Sequence, residues 1–592
     1  MGEKMSYNQL LSSAALLYDQ GRFAEAEQAL RRIIQTFPDN HAVLNLLGLV
    51  AQAQGLHEPA CSYFAAALRL DAAKAEYHYN LAFSAQRLQH FADAIIHYRK
   101  ALELVPSLKE AHNELGAVYQ AAGDLTQAHF HWQQALKLDP NYPAPASNIA
   151  YSNANFYPVQ TITDLTSLSR KFPQEPLVWF YLADVYHQTQ DYSSALNSAL
   201  SGLALTPQDA DLNYLAGLAS TKLNNPSSAL DYFLQAEAAD PLHYNAKLAA
   251  ADIFSRNDDF SQAEPRYKRL IELDGNVFAV HHNYAEMLYR QHRLPEALEE
   301  YRAAILLDPK SDKASYNLGL ILREQHDYTE ALGLFFNALH QAREPDYISV
   351  QIVETLVLLS REDLALAQKI AANWLKSYPD NLFARHINTT LKGENIEDNH
   401  LFNEKLFDAF ADNYELVMQN LAYSAPLAVG RIAGPLQGSV LDLGCGSGLA
   451  GQAVKNSKNQ IIGVDLSTKM LELARQKNIY QQLIKSDILN YLKSTQKSFD
   501  WIIAADVICY LGDLSEFISL CRNSSLIFTI EASNDINCWQ IRPSGRFLHN
   551  PKYVKQLLEA NSLTLVKSEK LTLRYEDGQA VEGQVFYASP MV

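Results

Sequence analysis

The sequence predicts two kinds of structure in series: an all-α array of helix pairs, then an α/β domain with a mostly parallel sheet. Two observations predict this. Small residues recur every 34 residues through the first two thirds of the chain, and short apolar runs alternate with helical segments from Ser439 onward. At 592 residues the chain is also too long for one hydrophobic core. We place the array in residues 1–395 and the α/β domain in residues 396–592.

An alanine marks each unit of the array. It recurs at Ala26, Ala60, Ala94 and Ala128 and, after 67 residues, at Ala195, Ala229, Ala263, Ala297, Ala331 and Ala365. A second small residue marks the first helix of the units, as at Gly48, Ala82, Gly116, Ala150, Ala183, Gly217, Ala251, Ala285 and Gly319. Small residues let two helices approach closely. Prolines near the unit ends stop the second helix, because proline cannot donate the helical hydrogen bond.

A 34-residue helix–turn–helix unit with these marks resembles the tetratricopeptide repeat, with about eleven units from Tyr7 to Asp380. The fifth unit, near residues 143–176, departs from the pattern because Thr161 replaces the alanine. The resemblance implies a superhelical solenoid whose groove binds a protein or peptide. Four asparagines on the first helices are candidate contacts to a peptide backbone, because an amide both donates and accepts: Asn80, Asn148, Asn283 and Asn317. The alternative is a spacer or assembly scaffold without a specific ligand.

The α/β domain begins with a strand followed by a glycine-rich turn. The apolar run Val440–Leu443 leads into Gly444–Gly448 and then a helical stretch, so a ligand can approach the backbone and the helix N-terminus closely. The second run ends in Asp465, the third element reaches Asp487, and the fourth run ends in Asp506. A carboxylate at the end of the second strand is placed to accept hydrogen bonds from both hydroxyls of a ribose.

Across residues 400–592 this pattern resembles the class I, Rossmann-like, seven-stranded S-adenosylmethionine-dependent methyltransferases. The D-x-G-x-G-x-G form that begins at Asp442 separates it from nicotinamide enzymes. The resemblance implies that Asp465 binds the ribose diol, that Asp487 accepts the adenine amino group and that Ile488 packs on the ring. The full implied cofactor set is Asp442, Gly444, Cys445, Gly446, Gly448, Asp465, Leu466, Asp487, Ile488 and Asp506.

A closer resemblance is to a bacterial group in which such a domain follows tetratricopeptide repeats. Its marks include a helical lid at residues 407–414, the segment 505–513, Glu531, residues 544–549 and residues 574–578, with Phe410 and Phe547 where tyrosine is usual. The candidates for catalysis on the acceptor side are Asp506, Tyr510, Glu531, Arg546 and His549. Structural alternatives stay open, since Glu531 could pair with Arg546 and His549 could cap the helix that follows.

The composition limits the cellular setting and the kinds of partner that the protein can have. Five cysteines without a C-x-x-C pair predict a reducing, cytoplasmic setting and no metal site. Residues 396–592 hold 18 basic and 21 acidic residues, so most of the net charge of −17 lies on the array, which disfavours nucleic acid as a partner. No apolar stretch approaches the ~20 residues that a membrane span needs.

The favoured hypothesis is a methyltransferase that uses S-adenosylmethionine and acts on a protein or peptide recruited by the array. Two alternatives remain. The acceptor could be a small metabolite with the array as an assembly scaffold, or the chain could be a non-catalytic interaction scaffold whose last domain binds the cofactor. The sequence leaves open the acceptor atom, the oligomeric state and whether the groove of the array feeds the active site.

Overall fold

The computed structural model describes residues 7–342, 345–394, 400–576 and 578–591, apart from the side chain of Asp412. These residues fall into two compact units, the first ending at Leu273 and the second beginning at Asp274. The predicted domain boundary at residues 395 and 396 lies outside the described residues and stays a prediction. The division between the two units falls within the predicted array, so its last repeats belong to the same unit as the α/β domain.

The described part of the first unit consists of eight helix pairs. Their bounds are α1 Tyr7–Asp19, α2 Phe23–Thr36, α3 His41–Ala53, α4 His57–Leu70, α5 Ala75–Arg87, α6 Phe91–Leu104, α7 Lys109–Ala121, α8 Leu125–Leu138, α9 Pro143–Tyr151, α10 Pro158–Lys171, α11 Pro176–Gln188, α12 Tyr192–Leu203, α13 Ala210–Lys222, α14 Pro226–Ala239, α15 Tyr244–Arg256 and α16 Phe260–Leu273. Each helix packs on the next along the chain.

Within a pair, a small residue on the first helix faces a large ring on the second. A Cβ added to Gly48 would lie 2.5 Å from Phe64 Cε1, and one added to Gly116 would lie 2.5 Å from Trp132 Nε1. The ring therefore fills the space that the missing side chain leaves, which is the close approach that the sequence predicts. The fifth pair is irregular as predicted: α9 has nine residues, and Thr161 is buried where other units have alanine.

The asparagines predicted to face a peptide make contacts between repeats. Asn80 Nδ2 donates to Asn45 Oδ1 at 3.2 Å, and Asn148 Nδ2 donates to Asn113 Oδ1 at 3.2 Å. Asn148 Oδ1 also accepts from the Tyr181 hydroxyl at 2.7 Å. Both side chains are buried, so part of their bonding capacity joins neighbouring repeats. In the second unit Asn317 Nδ2 donates to the Tyr301 hydroxyl at 3.2 Å, and Asn283 is half-buried. A peptide contact by these four residues stays a prediction.

The second unit begins with three more helix pairs and one single helix. These are α17 Phe278–Arg290, α18 Leu294–Leu307, α19 Asp312–Glu324, α20 Tyr328–Gln341, α21 Asp346–Glu362, α22 Leu364–Ser377 and α23 Leu382–Thr390. With the eight pairs of the first unit they give the predicted eleven repeats. In the last pair the prediction that Ala365 is the alanine packed between the helices is wrong. Ala365 is exposed, and Ala367 is buried. The cause is that α21 has 17 residues and almost meets α22, which shifts the helical phase by two residues.

The α/β domain follows. Its helices are α24 His400–Phe410, α25 Tyr414–Asn420, α26 Ala425–Ala433, α27 Leu449–Val454, α28 Thr468–Gln476, α29 Ile488–Ser494, α30 Ser515–Cys521 and α31 Pro551–Ala560. Its strands are β1 Gly438–Leu443, β2 Asn459–Asp465, β3 Gln482–Lys485, β4 Trp501–Ala504, β5 Ser525–Ala532, β6 Trp539–Ile541, β7 Phe547–His549, β8 Leu563–Glu576 and β9 Gln579–Pro590. We call the described residues from His400 onward the sheet domain. None of the helices in the described parts of the chain has both the length and the apolar character needed to span a bilayer.

The sheet has the predicted class I form with one addition. Strands β3, β2, β1, β4 and β5 are parallel in that order. Beyond β5, β9 pairs antiparallel with β5, and β8 pairs antiparallel with β9 and so runs in the same direction as the five. The hairpin of β6 and β7 is additional and joins the sheet at the carboxyl end of β5, where Glu531 pairs with Leu548. All five parallel strands point their carboxyl ends at one edge, which is where open α/β sheets bind ligands.

Repeat eleven and α23 pack directly on the sheet domain within the second unit. Lys405 Nζ of α24 lies 2.7 Å from Asp346 Oδ2 of α21. The Thr390 hydroxyl donates to the Pro543 carbonyl at 3.0 Å, and the His386 ring stacks on Phe402 with centroids 3.5 Å apart. Pro543 belongs to the turn between β6 and β7, so the end of the array contacts the hairpin beside β5.

Candidate active site

The turn after β1 requires glycine. Gly444, Gly446 and Gly448 have φ of +62°, +51° and +93°, a region that side chains disfavour. A Cβ on Gly444 would lie 2.3 Å from Val507 Cγ2. A Cβ on Gly446 would meet only the Tyr414 hydroxyl, at 4.0 Å, so its backbone borders open space. The turn therefore leaves bare backbone at the carboxyl end of β1.

Two carboxylates follow the next strands. Asp465 at the end of β2 accepts from the Gly446 amide at 2.8 Å and from the Ser467 amide at 2.9 Å. Burial raises the pKa of Asp465, and these amide bonds oppose the rise. Asp487 caps α29 by accepting from the Asn490 amide at 2.9 Å, and its other oxygen lies 3.1 Å from His400 Nδ1. Each oxygen has two lone pairs, so both carboxylates can accept further bonds from a ligand.

Asp442 lies beneath the turn. It is 0% exposed and accepts from the Tyr480 hydroxyl at 2.6 Å. Burial raises its pKa to about 7, although the Tyr480 bond opposes this. Asp442 therefore supports the turn from within the protein.

Asp506 and Glu531 form a buried charge network with two arginines. Asp506 accepts from Arg546 Nη2 at 2.8 Å and from Arg574 Nη1 at 3.0 Å. Glu531 is 0% exposed and lies 2.6 Å from Arg574 Nη2, 2.7 Å from Arg546 Nε and 3.0 Å from Arg542 Nη1. Burial alone would raise the pKa of Glu531, but the guanidinium groups of Arg546 and Arg574 outweigh burial and lower it to about 2. Glu531 is thus a fixed negative charge and a poor base at neutral pH.

Asp506 has a strained backbone. Its φ is +52°, a conformation that costs a non-glycine residue about 1–3 kcal/mol. The Asp506 amide donates to the Thr529 hydroxyl at 2.7 Å, which helps to hold that conformation. Such strain persists where the surroundings fix it and is concentrated at functional sites.

Tyr510 and His549 differ in their surroundings. The Arg546 guanidinium lies over the Tyr510 ring, 5.2 Å from its centroid. His549 is 0% exposed, its Nε2 lies 2.9 Å from the Gly512 carbonyl, and burial lowers its pKa. His549 therefore holds the segment after β4 and does not itself cap α31, whose cap is Asn550.

The lid helices α24 and α25 cover the glycine turn. Phe407 meets Tyr510 edge to face, with centroids 5.7 Å apart. Glu415 accepts from the Ser447 hydroxyl at 2.8 Å and pairs with Lys477 Nζ at 2.7 Å. The lid is thereby joined to the turn and to the end of α28.

These elements enclose a cavity of about 1220 Å³. The sequence-predicted residues that line it are Gly444, Cys445, Gly446, Asp465, Leu466, Asp487, Ile488, Asp506, Tyr510 and Arg546. Four others lie behind the lining: Asp442, Gly448, Glu531 and His549. These four can act on a ligand only through their neighbours, and the roles of all of them stay predictions.

Helices of the repeat array form part of the cavity wall. The cavity is lined by Arg323 and Glu324 at the end of α19 and by His326 and Tyr328 near the start of the next helix. It is also lined by one face of α21, from Val353 to Glu362. Arg323 Nη1 lies 2.9 Å from Glu354 Oε2, and Glu324 accepts from the Tyr289 hydroxyl at 2.7 Å. Repeats ten and eleven thus contribute side chains to the same cavity as the glycine turn.

Two groups of lining residues were not among the sequence candidates. Arg574 is 2% exposed and joins Asp506 to Glu531; it belongs to the segment 574–578 that marks the closer resemblance, but no role was predicted for it. The residues of α19–α21 carried no signal, because ordinary repeat positions gave no indication that they meet the sheet domain. Among the described residues Asp506, Cys509 and Glu531 could also approach one cation, but the arginines already pair with both carboxylates and we assign no metal.

Comparison with known proteins gives the same two parts. A family model for a methyltransferase domain matches residues 440–524. Models for the tetratricopeptide repeat match residues 11–77, 75–108, 109–142, 162–210, 189–244, 214–276, 248–312 and 285–346.

Each of the similar proteins matches only a part of this chain. Ubiquinone biosynthesis O-methyltransferase of Haemophilus ducreyi is 30% identical over 91 residues, which are 14% of this chain and 39% of that protein. The BBSome complex member BBS4 homolog of Drosophila melanogaster is 20% identical over 164 residues, 28% of this chain and 34% of that protein. A solved tetratricopeptide repeat protein from Parabacteroides merdae is 19% identical with a TM-score of 0.38, covering 41% of this chain and 97% of that one. The chain spans well under half the length of the two curated relatives.

The sheet order and the glycine turn at the end of β1 define a methyltransferase domain of class I form. The chain is a tetratricopeptide repeat protein in which this methyltransferase domain follows the repeats.

Proposed function

We propose that this protein is an S-adenosylmethionine-dependent methyltransferase whose acceptor is a protein or peptide recruited by the repeat array. One observation supports this most strongly: a single cavity runs from the glycine turn to helices α19 and α21 of the array. An acceptor bound by the last repeats would therefore enter the space beside the candidate cofactor residues.

The residues present fit the cofactor. The bare backbone of the glycine turn gives room for a ligand, and Asp465 keeps lone pairs for two ribose hydroxyls. Asp487, Ile488, Leu466 and Met470 all line the cavity, and a carboxylate with apolar side chains suits an adenine ring with an amino group. When bound, the cofactor supplies a methyl group already activated by a sulfonium, and the electron pair of the broken bond stays on sulfur.

The protein's own contribution is alignment and exclusion of water. The paired arginines hold the Asp506 carboxylate at the floor of the cavity, and the lid carries Phe407, Phe410 and Tyr414 over it. Glu531 would act as a positioning residue, because it reaches Asp506 only through Arg546 and Arg574.

The test is incubation of the full chain with methyl-labelled cofactor and a cell extract. We expect discrete polypeptides to be labelled. Asp465→Ala should abolish labelling and weaken cofactor binding in calorimetry, whereas Asp535→Ala, at an exposed position away from the cavity, should change neither. Label confined to small organic molecules would contradict the protein acceptor, and cofactor binding without any transfer would favour a non-catalytic scaffold.

A small-molecule acceptor is the second candidate. The aligned Haemophilus relative carries the name of a ubiquinone biosynthesis enzyme, which supports this reading for the 91 aligned residues. In that case substitutions on α21 that face the cavity should leave the KM of the acceptor unchanged.

A further inference from the structure

The cavity is larger than the cofactor needs. Its volume of about 1220 Å³ exceeds the roughly 300–1,000 Å³ of pockets that bury a drug-sized ligand. Besides the candidate cofactor residues, its lining includes side chains of α19 and α21 and of the hairpin of β6 and β7. The acceptor therefore occupies a space with one wall from the array and one from the sheet domain.

Aromatic rings line this cavity. Phe407 and Tyr510 meet edge to face, and Trp539 and Phe547 do the same with centroids 5.5 Å apart. The Tyr510 ring already has one cation on its face, the guanidinium of Arg546 at 5.2 Å. Aromatic rings in such an arrangement attract cations through their negative faces.

The charges of the wall favour the same kind of ligand. The lining contains eight carboxylates and four guanidinium groups. Arg323 is paired with Glu354, and Arg546 and Arg574 are paired with Asp506. Glu324 and Glu362 at the ends of α19 and α21 and Asp513 of the sheet domain add exposed negative charge at the cavity. Surfaces of one sign raise the local concentration of ligands of the other sign.

We propose that the acceptor is the side chain of a lysine in a basic polypeptide segment, bound between helices α19–α21 and the sheet domain. The proposal rests on the function proposed above and adds the class of acceptor. The ammonium loses one proton to water, its nitrogen then bonds to the methyl carbon, and the carbon–sulfur bond breaks with its electron pair left on sulfur. A carboxylate acceptor would instead meet a lining in which carboxylates outnumber guanidinium groups, eight to four.

Binding of defined peptides to the full chain tests the wall independently of turnover. The probes are fluorescent 12-residue peptides with acetylated N-termini and a central lysine flanked by arginines, and the same peptides with glutamine or glutamate at every basic position. We expect the basic peptide to bind at least about tenfold more tightly than the glutamine peptide, with the difference shrinking as salt rises. Equal or tighter binding of the glutamate peptide would overturn the proposal.

A matched pair of variants locates the effect. Glu362→Lys places a positive charge at the cavity end of α21 and should weaken binding of the basic peptide about threefold. Glu299→Lys makes the same charge change at an exposed position of α18 outside the cavity and should leave binding unchanged. Equal effects of the two variants would show that only the general charge of the protein matters, which would also overturn the proposal.

The product separates this proposal from the function on which it rests. Methyl label on lysine nitrogen survives mild alkali, whereas a methyl ester of a carboxylate releases methanol. Alkali-labile label, or label on peptides that lack lysine, would overturn the lysine acceptor and leave the methyltransferase intact. Absence of transfer to any peptide, extract protein or small molecule would instead contradict the proposed function.

Discussion

The repeat array and the sheet domain bury polar groups in different ways. In the array the buried polar side chains are mostly neutral and recur between neighbouring repeats, as in the bonds from Asn80 to Asn45 and from Asn148 to Asn113. In the sheet domain Glu531 and Arg574 are buried as charges, and they gather where the parallel strands end. Periodic neutral contacts hold similar units together, whereas the cluster of Asp506, Glu531, Arg546 and Arg574 lies at the cavity. The comparison distinguishes polar groups that maintain a fold from those that shape a site.

The largest expected effect is the loss of stability when a buried charge is removed. Arg574→Met leaves Glu531 and Asp506 with fewer cations in a buried environment and should lower the free energy of unfolding of the sheet domain by about 3–5 kcal/mol. Arg431→Met is the control, because Arg431 pairs with Glu569 at 2.8 Å but its side chain is 64% exposed, and its loss should cost less than about 1 kcal/mol. Hydrogen exchange of the β5 and β8 amides measures both. A similar loss of unfolding free energy in the two variants would contradict the difference between the buried and the exposed ion pair.

Acid should act in opposite directions through His131 of the array and Asp442 of the sheet domain. Burial lowers the pKa of His131 in the array from 6.5 to about 4, so the unfolded array binds protons first and the folded array loses up to about 3 kcal/mol as pH falls from 6.5 to 4. Burial raises the pKa of Asp442 from 3.8 to about 7, so the folded sheet domain gains stability through Asp442 over a similar range as pH falls.

Hydrogen exchange at pH 7 and pH 4.5 checks this difference, with amides of α7 and α8 compared with those of β1 and β2. His131→Gln should remove part of the acid sensitivity of the array, because burial also lowers the pKa of His97 and His112. His90→Gln, at an exposed position in the neighbouring repeat, should leave it unchanged. Earlier loss of protection at the β1 and β2 amides than at the α7 and α8 amides on acidification would contradict the assigned signs.

Substitution of a packed glycine in the array should have a smaller effect on stability. Gly116→Ala would place a Cβ 2.5 Å from Trp132 Nε1 and should destabilise the array by about 1–3 kcal/mol, because a buried ring must move. Gly333→Ala is the matched control, since Gly333 lies exposed in α20 with no atom within 4 Å of its added Cβ. That change should stabilise its helix by up to about 1 kcal/mol. Thermal unfolding of both variants distinguishes them, and a shift of the same sign would contradict this account of the small residues.

The array and the core of the sheet domain could be predicted from the sequence because each follows a period. The 34-residue spacing gave eleven helix pairs, and the glycine turn with the acids after successive strands gave the edge of the sheet where the cavity lies. The prediction of Ala365 as the packed alanine was wrong because α21 is longer than the first helices of the other repeats. A 34-residue spacing cannot show a change in helix length.

The acceptor side could be predicted less well because contacts distant in sequence determine it. Glu531 and His549 were reasonable candidates by residue type, but their burial depends on the hairpin of β6 and β7 and on Arg574 in β8. The wall from α19–α21 depends on how the last repeats pack on the sheet domain, as through Lys405 and Asp346. No local pattern contains that information.

The smallest expected effect concerns Asn148, which tests whether the buried asparagines serve the fold or a ligand. Asn148→Ala removes the donor to Asn113 and the acceptor for Tyr181, and should destabilise the array by about 1 kcal/mol, a usual value for a hydrogen bond. Asn317→Ala removes one bond from a half-buried position and should cost less, because water can replace the lost partner. Thermal unfolding and labelling of extract proteins are measured together. Unchanged stability with lost labelling in Asn148→Ala would assign this asparagine to the groove and remove the distinction between structural and site-forming polar groups.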